Sequence, residues 1–283
     1  MNENESSFYY QKNHHTSSVE VVVGGESTSP IEEEITTLQV PQRSIKHHSN
    51  LPIQPMKFVL ISDTHCMHEM VDLPAGDVLL HCGDFTNTGL FTEVDTFFEY
   101  LIKQCDGVFK YIIMIVGNHE WSPDIIVYPR FQKYFREEKS KSTLKSQYYL
   151  LLDESVTIVD DNNHSIKIHG VRYRGNWAPP LFCKKTSFNI PNDIDILMTH
   201  FPCCKFNMDR TSNGSSRGSE ELTTLLDSNH FTNLKVHCFG HNHCPKARGF
   251  AYEKESDRMY INAISVIGNK EDKLIGKPFV FEF

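Results

Sequence analysis

Asp63, His65, Asp84, Asn118, His200, His241 and His243 form a set of two carboxylates, four imidazoles and one amide. Two divalent cations a few ångströms apart would need such a set, because borderline metals take oxygen and imidazole nitrogen together. Each donor follows an apolar run. Phe58-Val59-Leu60-Ile61 leads into Ser62-Asp63-Thr64-His65, and Leu79-Leu80-His81-Cys82 into Gly83-Asp84-Phe85. Ile112 to Val116 leads into Gly117-Asn118-His119-Glu120, Ile194 to Met198 into Thr199-His200, and Leu234 to Phe239 into Gly240-His241-Asn242-His243. One such piece alone would be an ordinary polar residue beside a strand. Five in succession, each closing a β-like run, point to one site built from strand ends.

The spacing carries a reason of its own. Asp63-x-His65 and His241-x-His243 would put alternate side chains on one side of an extended segment. Gly83, Gly117 and Gly240 would let the backbone turn sharply after each strand. Two dications bring about +4 and two aspartates about −2, leaving a centre of about +2 that attracts phosphate and acidifies a water toward pKa ~7.

The elements that must position these residues follow from the chain in order. Residues 1–55 hold Glu32-Glu33-Glu34, the pairs His14-His15 and His47-His48, and little apolar periodicity. They are expected to be a disordered acidic and polar tail, with Val21 to Val23 a peptide for docking a protein partner. From Met56 the pattern is that of one domain, 56–283, of mixed sheets covered by helices. Phe91 to Gln104 places Val94, Phe97, Phe98, Leu101 and Ile102 on one helical stripe, with Thr92 as its expected N-cap. Tyr128 to Ser146 reads as a polar surface helix running into a loop. Tyr148–Leu152, Val156–Val159 and Ile166–Val171 read as an antiparallel meander. Arg210 to Ser219 is Gly/Ser-rich and expected to be a mobile loop, Glu220 to Ser228 a short helix, and Met259–Ile267 and Pro278–Phe283 closing strands.

Composition sets outer bounds. The 283 residues carry a net charge of −8, with 39% hydrophobic and 23% charged residues, as in ordinary globular proteins. No basic run suggests a nucleic-acid surface, no apolar stretch nears the ~20 residues of a membrane span, and a cytoplasmic location is the default expectation. The 8 cysteines are scattered without a Cys-x-x-Cys pair, so reduced, packed thiols are expected rather than a zinc knuckle or disulfide framework.

The ordered motifs from Ser62-Asp63-Thr64-His65 to Gly240-His241-Asn242-His243 resemble those of the calcineurin-like metallophosphoesterase superfamily. With Gly83-Asp84-Phe85-Thr86 and Tyr260-Ile261-Asn262-Ala263, the resemblance is nearest to its metallophosphoesterase-domain-containing group, whose relatives include class III cyclic nucleotide phosphodiesterases. The resemblance covers residues 56–283 and implies a four-layered α/β/β/α sandwich with mixed sheets. It implies one metal on Asp63, His65, Asp84 and His243, and a second on Asp84, Asn118, His200 and His241; mixed His, Asp and Asn ligands suit manganese, iron, zinc or nickel about equally. Asp84 would bridge, metal-bound hydroxide would attack phosphorus, His119 would protonate the leaving oxygen, and Glu120 would orient its loop. Asp84, Asn118 and His119 are thus the expected catalytic residues.

Departures are also visible. Asn87 stands where protein phosphatases of the superfamily carry an acid that helps hold the catalytic histidine, and their following Arg is missing. Phe201-Pro202-Cys203-Cys204 replaces a Gly-Pro-Pro, while His241 is kept where some relatives have Gly. The leading expectation is a phosphodiesterase for small phosphodiesters, cyclic nucleotides among the candidates. Phe85, Trp121, Trp177 or Phe201 would stack a base, and Arg172 or Arg174 would contact phosphate. The alternatives are a phosphomonoesterase or protein phosphatase, and a non-catalytic metal- and nucleotide-binding scaffold.

Overall fold

The structure, a computed structural model, describes residues 19–22, 37–40, 55–137, 142–173, 188–267 and 274–283. Strand β3 (Lys57–Ile61) shows how its layers arise. Its side chains alternate, so Phe58 and Leu60 join one core while Val59 and Ile61 join another, and all four are buried. A strand buried on both faces needs apolar residues at every position, which is why these runs are continuous rather than alternating.

Chain order then gives β1 (Val19–Val22), β2 (Thr37–Gln39), β4 (Val78–His81), α1 (Phe91–Tyr100), β5 (Tyr111–Met114), α2 (Tyr128–Phe135), β6 (Gln147–Leu150), β7 (Glu154–Val159), β8 (Ser165–Gly170) and β9 (Ile196–Met198). After these come α3 (Glu220–Asp227), β10 (Val236–Phe239), β11 (Gly249–Glu253), β12 (Arg258–Asn262), β13 (Val266–Ile267), β14 (Leu274–Ile275) and β15 (Phe279–Glu282). One sheet runs β2-β15-β3-β4-β5-β6 and the other β1-β11-β12-β10-β9-β8-β7. Strands β3 to β6 are mutually parallel, as are β8, β9, β10 and β12, while β7, β11 and β15 lie antiparallel to the neighbours β8, β12 and β3.

The inner core is shared by the two sheets: Leu80 and Ile113 from one meet Ile168, Met198 and Cys238 from the other. Helices α1 and α2 cover the first sheet with Phe97, Phe98, Phe131 and Phe135, where Phe85 stacks on Phe97 at 4.3 Å and Phe135 on Tyr148 at 4.2 Å. Leu222 and Leu226 of α3 pack with Leu197, Phe239 and Tyr260 on the outer face of the second sheet. Each aromatic in these layers contributes on the order of 2 kcal/mol of burial. The layers are therefore α/β/β/α, as the resemblance implied.

Several sequence expectations change here. The three β-rich runs do not form a meander, because β6 pairs parallel with β5 in the first sheet while β7 and β8 make a hairpin in the second. Turn residues between them mark a chain reversal but do not say which sheet each strand joins. Helix α1 begins at Phe91 with Leu90 at its N-cap and no side-chain cap, so Thr92 lies in the first turn. Glu93 instead reaches back to the Thr88 N–H and hydroxyl, at 2.9 Å each. Within the N-terminal stretch, β1 pairs with β11 and β2 with β15, so both strands extend sheet edges. Leu38 even joins the inner core, yet strands of four and three residues are too short to show a period, which is why the composition hid them. Glu32 to Glu34, the His pairs, Val23, Arg174, Trp177 and Cys183 lie outside the described residues.

His237 in β10 donates from Nε2 to Thr199 Oγ1 at 2.9 Å, since that hydroxyl gives its own proton to Phe201 O. Burial, then the charges of Arg258 and Lys205, push its imidazole from the ordinary 6.5 down to about 3. The unfolded chain therefore binds more protons between those values. The stability contribution is whole above about 6.5 and is lost as pH falls toward 3. His237→Gln, which takes no proton, is expected to remove roughly 2 kcal/mol of the stability lost between pH 7 and pH 5. Urea unfolding midpoints of both proteins at the two pH values measure this, and equal losses would contradict it.

Candidate metal centre

The parallel strands β3, β4 and β5 of one sheet and β9 and β10 of the other deliver their C-terminal ends to one edge of the sandwich. The edges are stitched together by site residues. His241 N donates to both oxygens of Asp63 at 3.1 and 3.0 Å, and His200 Nδ1 donates to Cys82 O at 2.8 Å. Asp63 and Asp84 are almost fully buried.

The seven expected donors converge. Asp63 Oδ1 lies 3.2 Å from His243 Nε2 and 4.0 Å from His65 Nε2, and the two imidazole Nε2 atoms lie 3.1 Å apart. Asp84 Oδ2 lies 3.2 Å from His200 Nε2 and 3.9 Å from His65 Nε2. Asn118 Oδ1 faces His200 Nε2 at 3.0 Å and His241 Nδ1 at 2.7 Å.

The protonation of these rings decides what the cluster can hold. His65 and His243 each turn Nδ1 to a carbonyl, Thr86 O at 3.1 Å and Val266 O at 2.7 Å, so Nδ1 carries the proton in both. Their facing Nε2 atoms are then two lone pairs with no proton between them. His200 repeats the pattern, with Nδ1 committed to Cys82 O and Nε2 aimed at two oxygen acceptors. Two buried carboxylates among these rings favour positive charge inside the cluster. Ligand atoms bound at about 2.1 Å to one cation stand roughly 3–3.4 Å apart, and the closest separations here fall in that range. The donors fit a divalent metal: Asp63-His65-His243, His65-Asp84-His119 and Asp63-Asp84-His200 are each grouped closely enough to hold one. Titration expresses the same demand for positive charge. Burial would depress His200, but the Asp84 and then the Asp63 charges outweigh it and raise the imidazole to about 10. Burial, then the charge of His200, drives His241 down to about 3.

Backbone conformation places the donors where side-chain alternation does not. Asp63, His65, Asp84 and His241 adopt φ of 53°, 43°, 55° and 69°, so neither Asp-x-His nor His-x-His is an extended pair. Left-handed backbone at non-glycine residues costs on the order of 1 kcal/mol each and is typical of functional sites. Of the three glycines only Gly83, at φ 89°, supplies a turn. Gly117 and Gly240 are required for space, because a Cβ would stand 2.1 Å from Asp84 Oδ1 and 2.0 Å from Asp63 Oδ2 respectively.

His119 is 36% exposed, with Nε2 3.9 Å from Asp84 Oδ2 and Nδ1 2.5 Å from the Asn87 carbonyl. The acid missing at position 87 is replaced in its positioning role by a backbone oxygen, while the Asn87 side chain donates to His65 O at 3.2 Å. Buried Glu120 accepts from Asp84 N (2.9 Å), Thr86 N (2.9 Å), Thr86 Oγ1 (2.7 Å) and Gly117 N (2.7 Å), which locks the β4 and β5 loops together. Burial and then the Asp84 charge push its carboxyl up to about 7, while the hydrogen bonds from Gly117 and Thr86 pull the other way.

The expected substrate contacts fare differently. Phe85 is wholly buried against Phe97, and Phe201 packs near Tyr173 and Phe188, so both serve the core. Arg172 is engaged by Asp124 at 3.0 Å and Asp153 at 2.8 Å, so its guanidinium is committed to structure. Trp121 is 71% exposed. A cavity of about 530 Å³ opens over the donors, lined by Asp84, Asn118, His119, His241 and His243 and also by Thr211, Ser212 and Arg217. The loop carrying those last three had no chemical signal beyond its Gly/Ser content. Tyr173, whose ring lies 5.6 Å from both His200 and His241, had none either.

The profile of the calcineurin-like phosphoesterase family matches residues 56–245. Human metallophosphoesterase domain-containing protein 1 is 30% identical over 239 residues, covering 77% of this chain and 69% of that protein. The Caenorhabditis elegans UPF0046 protein K07C11.7 is 30% identical over 238 residues, covering 80% of this chain and 74% of that one. The crystal structure of TT1561 of Thermus thermophilus superposes with a TM-score of 0.46 at 8% identity, covering 74% of this chain and 89% of that one. Among the described residues no helix is long and apolar enough to cross a membrane.

Glu120→Ala leaves three buried N–H groups and a hydroxyl without their acceptor. Metal affinity, measured by competition with a chelating dye, is expected to fall about 10–100-fold. Unchanged affinity would detach Glu120 from the centre.

Proposed function

This chain belongs to the calcineurin-like phosphoesterase family, and from that premise we propose that it is a dinuclear-metal-dependent phosphodiesterase for small phosphodiesters. Asp63, His65, Asp84 and His243 would hold one divalent cation and Asp84, Asn118, His200 and His241 the other. The observation that carries the reading is the convergence of the donors, with His65 Nε2 and His243 Nε2 3.1 Å apart and Asp84 Oδ2 and Asn118 Oδ1 at 3.2 and 3.0 Å from His200 Nε2. Bound there, the cations supply Lewis acidity toward phosphoryl oxygens and lower the pKa of a water to about 7.

The chain's own residues supply the rest. The P–O ester bond breaks as water adds to phosphorus, and the departing oxygen needs a proton. His119 is the donor: its Nδ1–H is spent on the Asn87 carbonyl, which turns Nε2 toward Asp84 and the cavity. Asp84 Oδ1 accepts the His119 N–H at 2.8 Å, so the shared carboxylate also sets the position of the proton donor. A cavity of about 530 Å³ suits a small ester better than a folded protein surface, which favours the diesterase reading over protein phosphatase. Trp121, close in sequence to His119 and exposed, is available to a base, so cyclic nucleotides belong in the substrate panel.

Asp84→Ala is expected to reduce hydrolysis of a chromogenic phosphodiester to background, and chelation of the wild-type protein to do the same, with activity restored by manganese. Diester, monoester and cyclic-nucleotide substrates compared at equal metal loading test the substrate class, with preference for monoesters overturning it. His119→Ala should slow esters of poorly acidic alcohols by about 10²–10⁴-fold and p-nitrophenyl esters much less, because only the former need the proton. Equal losses would remove the acid role.

A further inference from the structure

Arg217 stands in the wall of the cavity, outside the set that would hold metal. Among the described residues that line the cavity it is the single Arg or Lys. Among the described residues its guanidinium has no carboxylate or carbonyl partner. Neighbouring guanidinia differ. Arg210 reaches Asp209 at 3.4 Å and Gly214 O at 3.2 Å, and Arg248 donates to Ile264 O at 3.0 Å. Arg217 is close enough to the centre for its charge to be felt at His241.

Its backbone is held in place. Arg217 N donates to Asp209 O at 2.8 Å, and bridges between Arg210 and Ser216 and between Cys203 and Ser219 close the loop. Buried Asp209 takes the Ser216 hydroxyl at 2.5 Å. A Cβ on Gly218 would stand 2.9 Å from Asp209 Cβ and from Cys204 Sγ, so the loop is packed as well as bonded. Asn242 then ties it to the metal centre: its side chain donates to Met208 O and Arg210 O at 2.9 Å each, from between His241 and His243. An unpartnered guanidinium on a fixed loop, facing a site that receives anions, is arranged for charge-assisted hydrogen bonds to phosphate oxygens.

We propose that Arg217 is a substrate-positioning residue that binds an anionic oxygen of the phosphoester, its reach set by the 203–219 loop and the Asn242 tie. The inference rests on the phosphoesterase reading of the centre. The test uses metal-loaded wild-type, Arg217→Ala and Arg217→Lys proteins. Metal content is measured first, then the Kd for inorganic phosphate by calorimetry, then KM and kcat for a chromogenic diester. The expected result is unchanged metal content, phosphate binding weakened roughly ten- to hundred-fold in Arg217→Ala, KM raised more than kcat is lowered, and partial recovery in Arg217→Lys. Unchanged phosphate affinity and KM in Arg217→Ala would overturn the assignment, as would a loss explained wholly by lost metal. Arg217-dependent phosphate binding without hydrolysis would sink the phosphoesterase reading and keep only the anion contact of Arg217, overturning its role toward a substrate. Hydrolysis indifferent to Arg217 would keep that reading and overturn the assignment.

Discussion

Asp84 is the residue on which the remainder of the centre depends, because both its oxygens and its backbone are occupied by different parts of the fold. Oδ1 receives the His119 N–H, and Oδ2 faces His65, His119 and His200. Its own N–H goes to Glu120, and its carbonyl accepts from His65 N at 3.0 Å. Three segments distant in sequence are thus referenced to one residue. A buried carboxylate among lone pairs is costly unless positive charge accompanies it. The architecture therefore makes sense as a receptor for cations.

That cost is met by the sandwich. Two sheets with apolar residues on both faces and aromatic-rich helices outside give a rigid frame, from whose edge short loops project. The frame tolerates left-handed backbone at Asp63, His65, Asp84 and His241. It also tolerates the close approach of Gly117 and Gly240 to the two carboxylates. Backbone carbonyls of Thr86, Cys82, Asn87 and Val266 choose the ring nitrogen that each histidine presents to the cavity. The carbonyls are as much a part of the centre as the imidazoles, since they decide where the lone pairs point.

The walls of the cavity belong to a different layer of the molecule. The arginine and the aromatics near the strand ends whose types suit a phosphate or a base, Arg172, Phe85 and Phe201, are spent on ion pairs and packing. The 203–219 loop, whose Arg210 to Ser219 part reads in sequence as a Gly/Ser-rich mobile loop, brings Thr211, Ser212 and Arg217 over the donors. The cavity is divided accordingly: strand ends bring the candidate metal donors, and a loop tied back by Asn242 forms part of the wall above them.

Read alone, the sequence was sufficient for the strand ends, the α1 core stripe and a domain of mixed sheets covered by helices, since each leaves a local signature in residue type and period, while the four layers came from the family resemblance. It could not tell that β6 and β7 belong to different sheets, that β1 and β2 extend sheet edges, or that Glu93 rather than Thr92 serves the start of α1. Nor could it separate Gly83, needed for its φ as well as for space, from Gly117 and Gly240, needed for space alone. The reason is the same throughout. Residue identity records what a side chain can do, whereas sheet membership, ring tautomer and the freedom of an arginine are set by neighbours far along the chain. Only the folded structure brings those neighbours within hydrogen-bonding distance.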